Sequence, residues 1–140
     1  MNKAAFFIKD YQFPKVNIDL SCLNTEDEES DLDVSINPRG IYNKKEQVYK
    51  LIFDFTASTD RLSKKAFVSI TCEGYFKFEN AESLKDIPKF FYRNSIAILF
   101  PYLRAYISLV TNQANIPPFI LPTLNLSSLE EPLLANSIEE

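Results

Sequence analysis

The sequence predicts an α+β fold: a four-stranded antiparallel sheet followed by two helices, in one domain spanning residues 1–140. Two segments, residues 48–57 and 66–78, alternate apolar and polar side chains with the period of a half-buried strand. After Phe78 the period lengthens to that of a helix and does not return. Strands first and helices last, with no interleaving, means a sheet covered by helices on one face and open on the other. A chain of 140 residues buries roughly two-thirds of its unfolded surface, enough for one such core.

Residues 4–13, "AAFFIKDYQF", read as a first strand ended by Pro14. Residues 15–31 are polar and read as a loop, with "VNIDLSCL" as a short extended piece inside it. Residues 32–43 alternate until Asn37-Pro38-Arg39-Gly40, a turn or bulge signature that is expected to break or bend the second strand. In the third strand Tyr49, Leu51, Phe53, Phe55 and Ala57 share the core face, and Val48, Lys50, Ile52, Asp54 and Thr56 the other. In the fourth, Ala66, Val68, Ile70, Cys72, Gly74, Phe76 and Phe78 alternate with mostly polar neighbours. "NAESLKDIPKFFYRN" reads as a connection. Ile96, Leu99, Leu103, Tyr106, Ile107 and Val110 then recur at helical spacing, with Asn94 or Ser95 as N-cap. Pro101 belongs to the first turn of a helix starting near Phe100, or kinks one starting at Ile96. "LSSLEEPLLANSIEE" reads as a short amphipathic helix with Pro132 as an obstacle.

Composition narrows the function by exclusion. The net charge is −4, and the acids cluster at Glu26-Asp27-Glu28-Glu29, Asp31 and Asp33, as in a solvated loop. No basic patch stands out, which argues against a nucleic-acid partner. Cys22 and Cys72 lie fifty residues apart and there is no histidine, so the usual zinc sites and any obvious metal or cofactor are excluded. Without histidine the common general bases and nucleophile pairs are missing. The only glycines, Gly40 and Gly74, make no phosphate loop, and the carboxylates Asp54 and Glu73 fall on solvent-side strand positions. The chain reads as a binding protein and not an enzyme. "MNKAAFFIKDYQF" has no secretory h-region, and no apolar run approaches the ~20 residues of a membrane span, so a cytoplasmic protein without membrane insertion is expected. Twelve Phe and seven Tyr, with no Trp, exceed what a small core needs; the surplus serves a groove or partner, or the core is simply phenylalanine-rich.

The remaining signal is "NQANIPPFILPTLNL", residues 112–126, in which Pro117, Pro118 and Pro122 punctuate a run of apolar side chains. Prolines so spaced fit neither a helix interior nor a central strand. Each ring fixes φ beforehand, so an extended conformation costs little entropy, and the backbone has few donors to recruit other strands. Phe119, Leu121, Leu124 and Leu126 could therefore offer an apolar binding surface, or clamp the second helix on the sheet.

From residue 98 to 129, "ILFPYLRAYISLVTNQANIPPFILPTLNLSSL" resembles the SecB family of export chaperones. Ile98, Leu99, Phe100, Pro101, Tyr102 and Arg104 match the family's "ILFPYAR" helix opening. Ile116-Pro117 stands where the family has Phe-Pro at the start of its crossover loop, and Leu121, Asn125 and Leu129 fall in matching places. "KDYQF" (9–13) resembles the family's "KDISF" and "CEGYFKF" (72–78) its "CEVQQGGIFSI". The resemblance implies an ATP-independent holdase that takes no cofactor and binds unfolded preproteins in long apolar grooves, lined here by Ile116, Phe119, Leu121, Leu124, Leu126 and Leu129. It implies a homotetramer, a dimer of dimers with the first helices at the interface; the stripe Leu103, Tyr106, Ile107 and Val110 packs on its own sheet, on another subunit, or on both. It also implies docking on the translocase motor SecA through outward carboxylates, here Asp10 and Glu73. A third family carboxylate is replaced by Pro14, a departure that favours the alternative of a chaperone dedicated to one client, such as an antitoxin. A SecB-shaped adaptor for a folded partner is a further alternative.

Overall fold

The computed structural model describes residues 5–23, 33–59, 65–116 and 125–140. Strands β1 (Ala5–Ile18), β2 (Asp33–Asn43), β3 (Val48–Ser58) and β4 (Val68–Glu79) are followed by helices α1 (Phe90–Gln113) and α2 (Glu130–Ala135). A last strand, β5 (Ser137–Glu139), closes the chain. The sheet therefore has five strands and not four, in the order β1-β4-β3-β2-β5. Only β5 runs parallel to its neighbour: Gly40, Ile41 and Tyr42 of β2 face Ser137, Ile138 and Glu139. Three residues carry no periodicity, so this strand exists because of where α2 delivers it rather than because of its own composition.

Alternation places β3 and β4 as expected. Tyr49, Leu51, Phe53, Phe55 and Ala57 are buried together with Val68, Ile70, Cys72, Phe76 and Phe78. Ile52 is the exception on the outer face: it is buried between the Arg39–Asp54 and Lys50–Glu73 ion pairs. Gly74 answers a close approach, since a Cβ there would meet Leu99 Cδ1 of α1 at 2.8 Å. Burial pushes the Cys72 thiol up to about 12, which leaves it an inert core atom.

The two prolines that were expected to interrupt strands do not. β1 continues through Pro14 to Ile18. Gln12 pairs with Glu73 and Lys15 with Thr71, so Phe13 and Pro14 share one place opposite Cys72, and the ring sits in a bulge of an edge strand. β2 likewise runs unbroken through Asn37-Pro38-Arg39-Gly40. The Gly40 N–H points away from β3, to the Asn136 carbonyl (3.1 Å). Pro38, two residues earlier, therefore has its missing donor on that same outward side, where no ladder bond to β3 is lost.

A second bulge decides which β1 aromatics reach the core. Ile8 pairs with Phe76 and Asp10 with Tyr75, leaving Lys9 as the extra residue. The insertion reverses the parity beyond it, so Tyr11 and Phe13 turn toward α1 while Asp10 and Gln12 turn outward. Tyr11 lies 4.3 Å from Tyr102, ring centre to ring centre, and Phe13 stacks on Tyr106 at 3.9 Å and 9°.

α1 begins ten residues before Phe100, directly after Pro88, so the stretch read as a connection supplies its first turn. Phe91 is fully buried and packs edge-on against Phe6, Tyr49, Phe76 and Phe78. Pro101 lies inside the helix on its exposed face, as does Ala97, whose carbonyl loses its i+4 donor and is left to water. The helix ends in a Schellman motif. Asn115 takes the left-handed conformation (φ 60), its N–H donates to the Asn112 carbonyl, and the Ile116 N–H donates to that of Thr111 (3.0 Å each). In α2, Pro132 is no obstacle, because it sits in the first turn, where N–H groups have no helical partner.

Candidate functional site

The segment entering the site is fixed by α1's end. The Schellman turn buries Ile116 in the core, so this residue anchors the chain rather than lining a groove. Phe119, Leu121 and Leu124 lie outside the described residues. The chain resumes at Asn125, whose carbonyl accepts from Ser128 N (3.0 Å) and Ser128 Oγ (2.6 Å), and a 3-10 turn over Leu126–Leu129 leads into α2. Leu126 and Leu129 are half-buried against the core edge, and Leu133 behind them is fully buried. Of the six apolar candidates, the structure thus brings two, Leu126 and Leu129, to a partly open apolar edge.

α2 is latched to the sheet. Ser137 Oγ donates to the Leu133 carbonyl (2.7 Å) and so accepts from the Tyr49 hydroxyl (2.5 Å). The Tyr49 ring reaches Ser137 across Gly40, where a Cβ would stand 1.8 Å from its hydroxyl oxygen. Sequence reading passed over this contact; the signal available was a glycine in a strand, which marks close approach by another group.

The outer sheet face carries Asp10 and Glu73 together, as register requires. They are not equivalent. Asp10 is exposed and, among the described residues, accepts from the Tyr11 backbone N–H alone (2.8 Å). Glu73, with a side chain 14% exposed, accepts from Gln12 Nε2 (2.8 Å) and Tyr75 Oη (3.0 Å) and lies 3.7 Å from Lys50 Nζ. Partial burial pushes its carboxyl up, but the Gln12 and Tyr75 hydrogen bonds and the Lys50 ammonium outweigh that and hold it below the ordinary range. A depressed folded-state value adds stability that is present above the unfolded value, near 4.3, and is lost as pH falls through the folded one. Urea midpoints of the wild type are expected to drop between pH 5 and pH 3 more steeply than those of Glu73→Gln, which has no such proton to take up. Parallel curves would show that Glu73 is not held.

The helix stripe also divides. Leu103 and Ile107 are buried against the chain's own sheet, so they are core and not an interface. Tyr106 and Val110 are half-buried, Tyr106 under Phe13. Beyond Phe90 at its start, the large apolar residues α1 turns to solvent are Ile98, Tyr102 and Leu109, exposed by 36%, 40% and 54%. Among the described residues no cluster of His, Cys, Asp and Glu fits a metal ion, and no helix is long and apolar enough to cross a membrane.

A sheet open on one face, a long helix on the other and a second short helix after it is the arrangement that the resemblance implied, apart from the fifth strand. The family model for "Preprotein translocase subunit SecB" matches residues 1–132. The chain belongs to the SecB family. An uncharacterized protein of Methanocaldococcus jannaschii is 36% identical over 129 residues, covering 91% of this chain and 83% of the relative. Among solved structures, the Mycobacterium tuberculosis SecB-like chaperone Rv1957, in complex with a ChAD peptide from the HigA1 antitoxin, superposes with a TM-score of 0.64. That match covers 86% of this chain and 91% of the other at 12% identity, and so speaks for a shared SecB fold. Against that family pattern, β5 is an additional edge strand here, and Pro14 occupies a bulge.

Proposed function

We propose that this SecB-family protein is an ATP-independent holdase that binds extended, non-native polypeptides on an apolar edge that includes Leu126, Leu129 and α2. The observation carrying this reading is the half-burial of Leu126 and Leu129 beside a fully buried Leu133, directly after the proline-rich apolar run in the sequence. At ~25 cal/mol per Å², a client that covers a few hundred Å² of such surface in several subunits gains several kcal/mol from each. The decisive experiment is light scattering of a chemically unfolded protein diluted into buffer without ATP. Wild type suppresses aggregation, and Phe119→Asp/Leu121→Asp, shown folded by circular dichroism, does not. No suppression by wild type removes the general holdase.

Two destinations for the client follow. Delivery of preproteins to SecA draws on the outward Asp10 and Glu73. A chaperone dedicated to one client, such as an antitoxin, is favoured by the engagement of Glu73 with Lys50, Gln12 and Tyr75 and by Pro14. The bound antitoxin peptide of the mycobacterial neighbour fits the second route. A charge-matched SecA contact binds at low salt and weakens as salt rises, so absence of binding at low salt selects the dedicated client.

Self-association into a dimer of dimers is assigned to the outer face of α1. Leu109→Arg, placed on the most exposed apolar residue of that face, is expected to shift light-scattering mass to a smaller species while leaving circular dichroism unchanged. An unaltered mass would move the interface elsewhere.

A further inference from the structure

A cleft of ≈ 650 Å³ lies between the turn that precedes α1, the start of α1 and α2. Its floor is apolar: Leu84 from the turn before α1, Ile87, Tyr92 of α1's first turn, and Leu134 of α2. Ile87 and Tyr92 are buried, so their exposed atoms are the cleft surface itself, while Leu134 is 46% exposed as a free wall. Lys89 also lines a neighbouring depression of ≈ 370 Å³ beside Phe90 and Arg93, so the two hollows form one track over the beginning of α1.

The charges around this track are unequal in what they have left to offer. Three of the nearby acids are already engaged. Glu139 accepts from the Leu84 N–H (2.9 Å) and pairs with Lys44 (4.0 Å). Asp86 caps the Glu82 and Ser83 N–H groups (3.1 Å each), and Glu130 pairs with Arg93 (3.2 Å). Lys85 and Lys89 are exposed, line the cleft, and have no hydrogen-bond or ion-pair partner among the described residues. α1 starts at Phe90, directly after Lys89, with no acid in its first turn and no side-chain cap, which adds to the positive potential. An apolar hollow rimmed by two uncommitted cations is complementary to an apolar side chain with an acidic neighbour.

We propose that this cleft is an anchor site for a client segment in which a large apolar residue is flanked by aspartate or glutamate. The apolar residue fills the space between Ile87, Tyr92 and Leu134, and the flanking carboxylates meet Lys85 and Lys89. The proposal rests on the holdase reading, and deepens it by giving an otherwise unselective apolar surface a sign preference. An acidic flank also separates such a client from one held by apolar contact alone, since only the former depends on ionic strength.

Fluorescence anisotropy with three labelled ten-residue peptides tests it: a central Phe flanked by Asp, by Asn or by Lys, at low ionic strength. The Asp-flanked peptide is expected to bind about fivefold more tightly than the Lys-flanked one, with the gap closing as salt rises. Lys85→Glu/Lys89→Glu, both at exposed positions, should reverse the order. Leu134→Asp should weaken all three peptides. Equal binding of the three, or an order that survives the double reversal, overturns the proposal. The control variant Phe119→Asp/Leu121→Asp keeps the order if the cleft is a separate anchor. A charge order without aggregation suppression would sustain the cleft and remove the holdase; suppression without a charge order would do the opposite.

Discussion

Replacing Phe91 with alanine is expected to destabilise the protein by about 3–5 kcal/mol, the range for deleting a fully buried aromatic ring. Phe91 is completely buried, with its ring centre 4.8 Å from those of Phe6, Tyr49 and Phe78 and 5.4 Å from that of Phe76. These partners come from β1, β3 and β4, so one ring ties α1's first turn to three strands. Neighbours drawn from separate strands cannot collapse into the void together, which places the cost at the upper end. Edge-on contacts contribute about 0.5–1.5 kcal/mol each beyond area burial, and their loss acts in the same direction. Urea denaturation followed by circular dichroism measures the change. For a domain of this size, total stability is about 5–15 kcal/mol, so the variant sits near the edge of folding. Phe90→Ala is the internal comparison: its ring is 55% exposed, and an effect under about 1 kcal/mol is expected. Equal effects at the two positions would contradict the described burial.

Gly40→Val should cost about 3 kcal/mol and act on a different part of the molecule. Even a methyl group at this position would stand 1.8 Å from the Tyr49 hydroxyl oxygen and 2.3 Å from the ring carbon bearing it. Tyr49 is itself fully buried, so its ring has no solvent side to swing into. Overpacking of this kind costs about 1–3 kcal/mol, and a buried hydroxyl separated from Ser137 costs about 1–3 more. The β-branched residue recovers up to about 1 kcal/mol through strand preference, which does not offset the clash. The variant should also loosen α2 and β5 first, since Ser137 joins the Leu133 carbonyl to Tyr49. Limited proteolysis near residues 130–140 is the readout. Tyr49→Leu in the same chain removes the obstructing hydroxyl and ring, so the pair should be less damaging than the sum of the singles. Additive losses would show that the glycine is not there for the ring.

The same two residues explain how much of the fold was legible. Alternation in residues 48–57 and 66–78 is local, and it placed β3 and, from Val68 on, β4 with the correct core face; Phe67, on the outward parity, is instead fully buried. The start of α1 carries no cap residue and three adjacent aromatics, Phe90, Phe91 and Tyr92, which carry no helical period of their own; Pro101 then looked like a beginning because the physical cost of proline inside a helix depends on whether the orphaned carbonyl meets water. Pro14 and Pro38 misled for the related reason that a missing N–H matters only on the side where a strand is paired. The Lys9 bulge reversed a parity that no single residue announces. β5 was invisible, because a three-residue parallel pairing with β2 is set by distant chain.

For the site, the family motif pointed to Asp10 and Glu73 on the outer face, and it could not tell which of them was free. Glu73 is engaged by side chains from β1, β3 and its own strand, a relationship fixed by register. The α1 stripe had the same limit. Leu103 and Ile107 recur at the spacing that Ile98, Tyr102 and Leu109 also follow, and periodicity alone does not say which face meets the sheet.

The outward rim of β2 has one last consequence. A protein that keeps extended polypeptides in its company runs the risk of templating them, because an open strand offers its row of amides and carbonyls to any chain that lies alongside. Growth into cross-β fibrils requires an uninterrupted ladder about six residues long. On this rim β5 already occupies Gly40 to Tyr42, and Pro38 withholds a donor two residues before it. What is left of this rim among the described residues, Asp33 to Asn37, is shorter than that, so this edge of the sheet is a poor template for fibril growth.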